Sequence, residues 1–117
     1  MNPAKPQKGV VLAALDALAD PSAQCLDFAE GEARFSLILV RSAGRVTAYE
    51  NRCPHARYPL EKLDGSVILQ EGRFLVCAAH AASFRASDGA FCGGPGGSEG
   101  LTRIAVAVRD GRVVMDE

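Results

Sequence analysis

Short apolar runs alternate with Gly-centred polar breaks along most of the chain. "FSLILV" (residues 35–40) is followed by "SAG" and then by "RVTAYE". "SVILQ" is followed by "EG" and "RFLVC", "ASF" and "AFC" flank "SDG", and "RIAVAV" and "RVVMDE" flank "RDG". Gly at a hairpin tip supplies the positive φ that a tight turn demands. Four such units predict four hairpins and an antiparallel all-β domain. "RIAVAV" alternates bulky with small, so Ile104, Val106 and Val108 are expected on one face and Ala105 and Ala107 on the other. "QCLDF" also reads as a strand. Helical periodicity is confined to "AALDALAD" and "PLEKL", both short. "VVLAALDAL" predicts an edge strand followed by a turn of helix, and residues 1–8 predict a loose tail.

Composition narrows the function classes. The 117 residues make one domain's worth of chain, and the apolar fraction of 48% is ample for a core. Thirteen basic and 14 acidic residues leave a net charge of −1, with no basic run, so neither nucleic acid nor an anionic membrane is an expected partner. The apolar run at residues 10–15 is cut by Asp16 and Asp20, too early for a membrane span or a signal peptide. The expected location is the cytoplasm, where cysteines serve metals or catalysis more often than disulfides.

The chemistry sits in two short stretches. "NRCPHARYPLE" holds Cys53 and His55; "LVCAAHAASF" holds Cys77 and His80. These are the only two His in the protein, each beside a Cys, with 77 − 55 − 1 = 21 residues between the pairs. Each pair falls at the end of a predicted strand, so two strand-end loops can face one another across a metal. Thiolate and neutral imidazole both ligate iron and zinc. Spacing alone leaves open a tetrahedral Cys2His2 zinc site and a two-iron, two-sulfide cluster. A Cys77–His55 catalytic dyad would leave the second pair unexplained. Cys25 is expected in the core, and Cys92, leading into "GGPGGSEG", in a structural role.

The residues around the pairs separate these readings. "CPH" followed by "YPLE", then Cys-x-x-His-x-x-Ser-Phe, then "SDGAFCGGP", resembles a Rieske [2Fe–2S] domain of the small ferredoxin type. The resemblance spans most of the chain, from "VVLAALDAL" to the closing "VAVRDGRVV". It implies an antiparallel β-sandwich base (residues 9–50 and 101–117) carrying a smaller inserted cluster-binding lobe (residues 51–100). It also implies one [2Fe–2S] cluster per chain, with Cys53 and Cys77 on one iron and His55 and His80 on the other. Two departures stand out: relatives usually carry Gly soon after each ligand His, where this chain has Ala56–Arg57 and Ala81. High-potential relatives place Ser two residues and Tyr four residues after the second His; here these are Ala82 and Phe84. The cysteine pair of the loop-linking disulfide is missing as well. The missing hydroxyl donors and the missing disulfide both point to the low-potential end of the Rieske range.

The function expected on this basis is one-electron transfer rather than catalysis. A Rieske oxygenase needs a second, mononuclear iron on a 2-His-1-carboxylate set, and both His are already assigned. The implied partners are a flavin reductase upstream and an oxygenase or other oxidoreductase downstream. An accessory Rieske subunit of a larger redox enzyme and a zinc-stabilised interaction module are the alternatives. The resemblance implies that the Pro95-containing "GGPGG" loop covers the cluster from a third side, a flexible connector being the alternative, and that Tyr58 helps form a docking surface.

Overall fold

A computed structural model describes residues 2–54, 58–94 and 99–117. The described chain is built from strands, with one 3-10 turn at Leu15–Ala17. The strands are β1 (Val11–Ala14), β2 (Ser22–Glu30), β3 (Ala33–Ser42), β4 (Arg45–Glu50), β5 (Ile68–Gln70), β6 (Phe74–Val76), β7 (Ser83–Arg85), β8 (Phe91–Gly93), β9 (Arg103–Ile104), β10 (Val106–Arg109) and β11 (Arg112–Met115). They form three sheets, ordered β1-β11-β10, β2-β3-β4-β9 and β5-β6-β7-β8, and every pairing is antiparallel.

The turns follow from the Gly positions. Ser42 pairs with Arg45 across Ala43 and Gly44, at φ 51° and 77°. Arg109 pairs with Arg112 across Asp110 and Gly111, at φ 51° and 73°. Positive φ at both central positions twists a two-residue turn in the same sense as the strands it joins. The Asp20 carboxylate accepts the Ala43 and Gly44 N–H groups at 2.9 and 2.8 Å, which satisfies donors that the turn leaves unpaired.

β3 explains the continuous apolar run "FSLILV". Its alternate side chains enter two different cores. Leu37 and Leu39 pack with Phe35, Ala48, Ile104, Val113 and Met115, against the β1-β11-β10 sheet. Ile38 and Val40 pack with Tyr49, Cys53, Leu60, Leu75, Cys77 and Phe84, against the β5–β8 sheet. A strand buried on both faces carries no polar alternation. The middle sheet is thus shared between a wholly structural core and one that includes two of the predicted ligands.

Several local expectations are corrected. "RIAVAV" is not one strand. Ile104 pairs with Ala48 on β4, Ala105 lies between strands, and Val106 begins the pairing with β11. The segment passes from one sheet to another, so its alternation does not describe a single face, and Val108 is 47% exposed. Residues 2–9 are not a loose tail: Ala4 is buried, Asn2 Nδ2 donates to the Arg34 carbonyl, and Gly9 N–H donates to the Met115 carbonyl. "PLEKL" forms no helix. A further hairpin joins β2 to β3 through nine residue pairs, with Gly31 at φ 59° in its turn.

Candidate metal centre

Two loops project from the shared core, and backbone hydrogen bonds close each of them. Cys53 follows β4, and its N–H donates to the Tyr58 carbonyl at 2.8 Å. Cys77 follows β6; its N–H donates to the Ala82 carbonyl at 2.9 Å, and its carbonyl accepts the Ala81 N–H at 2.8 Å. A backbone bond ties the loops together, from the Ala78 N–H to the Leu60 carbonyl at 3.1 Å. Leu60, fully buried, wedges between them.

Cys53 and Cys77 are buried free thiols in the same core cluster. Burial pushes the Cys77 thiol up, and the neighbouring Cys53 adds to this. The backbone N–H groups of Ala79 and His80 pull the other way. Those donors favour a thiolate, the form that binds metal. His80 is exposed on the same loop, with its ring at the protein surface. His55 lies outside the described residues, as do Ala56 and Arg57. Among the described residues, no group of three or more His, Cys, Asp or Glu is arranged to hold a metal ion.

The Gly-to-Ala departure in the second loop has a definite structural outcome. Ala81 sits at φ 62°, in the left-handed region that Gly adopts freely. The loop keeps the backbone path of a glycine without the glycine. Gly94, at φ 97°, packs against it: a Cβ there would lie 2.8 Å from both the Ala81 carbonyl oxygen and the Ala82 Cα. A third segment thus lies against the second loop. The expected cover by Pro95 falls outside the described residues, which resume at Glu99.

Ala82 and Phe84 are buried, and the Phe84 ring meets Phe91 edge-on at 6.0 Å between centroids. Neither carries a donor. Tyr58 is 58% exposed beside the first loop. Cys92 is exposed rather than built into the core, its Sγ donating weakly to the Ala90 carbonyl at 3.4 Å. Cys25 is half-buried, and its thiol donates to Glu61 Oε2 at 3.3 Å. Burial, then the hydrogen bond to Glu61 and the negative charges of Glu61 and Asp27, push that thiol up to about 12.

Sequence reasoning missed the polar cluster around Cys25. Buried Asn51 donates from Nδ2 to Glu61 Oε2 (2.8 Å) and Ser36 Oγ (3.0 Å), and its Oδ1 accepts the Leu60 N–H at 2.8 Å. The available signal was the pair of polar residues, Asn51 and Glu61, bracketing the first loop.

A family model described as a Rieske [2Fe-2S] domain matches residues 11–107. The chain belongs to this family. Its fold is also that of solved Rieske-type structures. The ferredoxin of carbazole 1,9a-dioxygenase from Nocardioides aromaticivorans IC177 matches with TM-score 0.74 and 22% identity, over 94% of this chain and 98% of that one. The Sphingomonas yanoikuyae B1 ferredoxin matches with TM-score 0.69 and 23% identity, over 95% and 99%. The terminal oxygenase of carbazole 1,9a-dioxygenase from Novosphingobium sp. KA1 matches with TM-score 0.71 and 19% identity, over 88% of this chain but 28% of that one. A comparison with curated proteins found no match. No helix among the described residues is long and apolar enough to cross a membrane.

Proposed function

We propose that this Rieske-family chain is a one-electron carrier holding one [2Fe–2S] cluster, with Cys53 and Cys77 on one iron and His55 and His80 on the other. The observation that carries the reading is the pair of buried, free thiols in one core cluster, Cys77 opening the loop that carries His80. That donor set fits the group: two thiolates in a dry pocket, and an imidazole on the surface side of the same loop. The cluster, when bound, supplies the uptake and return of a single electron. The chain's own residues do the rest. The Leu60, Leu75 and Phe84 side chains exclude water from the thiols, the two N–H groups offset thiolate charge, and exposed His80 offers the contact through which a partner is reached.

Residues 51–100 would act as the cluster lobe, on a base of residues 9–50 and 101–117. The two His in the sequence are both engaged in this arrangement, so organic chemistry belongs to a partner. The partners in this reading are a flavin reductase upstream and an oxygenase or other oxidoreductase downstream. Support for the latter is the likeness to a ferredoxin whose own description ties it to a dioxygenase. A cytoplasmic setting fits the four free cysteines.

The deciding experiment is metal and sulfide analysis of anaerobically purified protein, with its visible and EPR spectra. About two iron and two sulfide per chain are expected, in a red-brown protein. Stoichiometric zinc without iron would overturn the proposal. Cys53→Ser should lose the cluster, because it removes a buried ligand.

A further inference from the structure

Asn51 is the last residue before the first loop, and its backbone N–H and both polar atoms of its side chain are engaged. Its N–H donates to the Ser36 carbonyl on β3 at 2.9 Å. Its Oδ1 accepts the Leu60 N–H at 2.8 Å, nine residues on. Nδ2 is shared among Glu61 Oε2 at 2.8 Å, Ser36 Oγ at 3.0 Å, Glu61 Oε1 at 3.2 Å and, more weakly, Cys25 Sγ at 3.6 Å. The side chain therefore bridges the start of the first loop to its return and locks both to β3. The Leu60 carbonyl then accepts the Ala78 N–H, next to Cys77. A path runs from Asn51 through the backbone N–H and carbonyl of Leu60 to the residue after Cys77, joining both loops.

We propose that Asn51, held by Glu61, is a positioning residue that sets the spacing of the two loops and through it the environment of the cluster. The inference rests on the cluster reading above. Asn is required rather than merely tolerated because the position must accept from one backbone N–H and donate to a carboxylate at the same time. Asp accepts but cannot donate, and it would face the Glu61 carboxylate with like charge. Ala does neither and leaves the buried Leu60 N–H without its partner. Neither Asn51 nor Glu61 is one of the four proposed ligands, so their effect passes through backbone positions.

The polarity of the pair is reversible, which supplies the test. In Asn51→Asp with Glu61→Gln, the new carboxylate still accepts the Leu60 N–H, and the new amide donates back across the pair. Three proteins are compared with wild type: Asn51→Ala, Asn51→Asp and the double variant. In the absence of cluster, amide exchange at Leu60 and Ala78 should speed up by about tenfold or more in both single variants. Exchange at Val113, in the other core, should not change. With the cluster bound, both single variants should lose it about 10–100-fold faster, as for other residues that orient metal ligands. Their EPR g values and midpoint potential should also move. The double variant should recover all four readouts to near wild type. Unchanged exchange and cluster loss in the single variants would overturn the proposal, as would a double variant no better than Asn51→Asp. Should Asn51→Ala fail to fold, the comparison of Asn51→Asp with the double variant decides by itself. Wild-type protein that binds no iron would sink the electron-carrier reading, and the exchange measurements would still decide whether Asn51 sets the loops.

Discussion

Replacing Ala81 by Gly should make this protein more stable, against the usual effect of removing a side chain. Ala81 holds φ 62° in the second loop, where its Cβ crowds the adjacent carbonyl oxygen. For a non-Gly residue that conformation costs roughly 1–2 kcal/mol. Gly would remove the strain but bring more freedom to the unfolded chain, at about 0.4–1 kcal/mol. Ala81 is exposed, so its methyl group contributes little packing to set against the change. The net expectation is a gain of about 0.5–1 kcal/mol. At about 2.1 cal/mol/K per residue, 117 residues have an unfolding entropy of roughly 0.25 kcal/mol/K, so the melting temperature should rise by about 2–4 °C. Urea unfolding of the cluster-free protein is the direct assay: the midpoint should rise with an unchanged slope. Ala82→Gly, next door, is the control. Ala82 is 2% exposed in the core, without positive φ, so its loss should destabilise. A midpoint for Ala81→Gly at or below wild type would refute the strain argument.

Other expectations can be checked in the same set of proteins. Ala82→Ser with Phe84→Tyr adds hydroxyls on the loop of the proposed ligands Cys77 and His80; the midpoint potential, expected low in the range of about −150 to +300 mV, should rise, and voltammetry showing no shift would refute this. Alkylation near pH 8 should modify exposed Cys92 readily. Cys25, its thiol pushed up to about 12 from 9.0, should hold about a thousandfold less thiolate than an ordinary cysteine and react correspondingly slowly, as peptide mapping would show. The raised folded-state value means that Cys25's contribution to stability is full below pH 9.0 and lost as pH climbs towards about 12; Cys25→Ala should flatten that alkaline limb in unfolding curves. Tyr49→Phe removes a buried O–H that donates to the Ala86 carbonyl at 2.6 Å, and should cost about 1 kcal/mol in urea unfolding.

Local pattern was enough for much of this molecule. The Gly turns at residues 43–44, 71–72 and 110–111 lie where the apolar runs break, because a pair of adjacent residues with φ > 0, one of them Gly, makes such a turn locally. The antiparallel all-β class follows from those hairpins. The paired Cys/His motif together with the residues around it, "YPLE" and "SDGAFCGGP", pointed to the family, since a family frame is written in residue type and order. Tertiary structure decided what depends on distant partners. The run "FSLILV" is apolar on both faces, and only the packing of sheets above and below shows that Leu37 and Leu39 enter one core while Ile38 and Val40 enter the other, with the cysteines. "RIAVAV" looks like one strand, yet its halves pair with β4 and β11, two neighbours far apart in sequence. Asn51 reads as an ordinary polar residue until Leu60, Glu61 and Ser36 are brought around it. Ala81 argued against a glycine-like turn on local propensity alone. The backbone bonds joining Cys77 to Ala81 and Ala82, with Gly94 packed alongside, hold it there, because several long- and short-range contacts together outweigh one residue's preference.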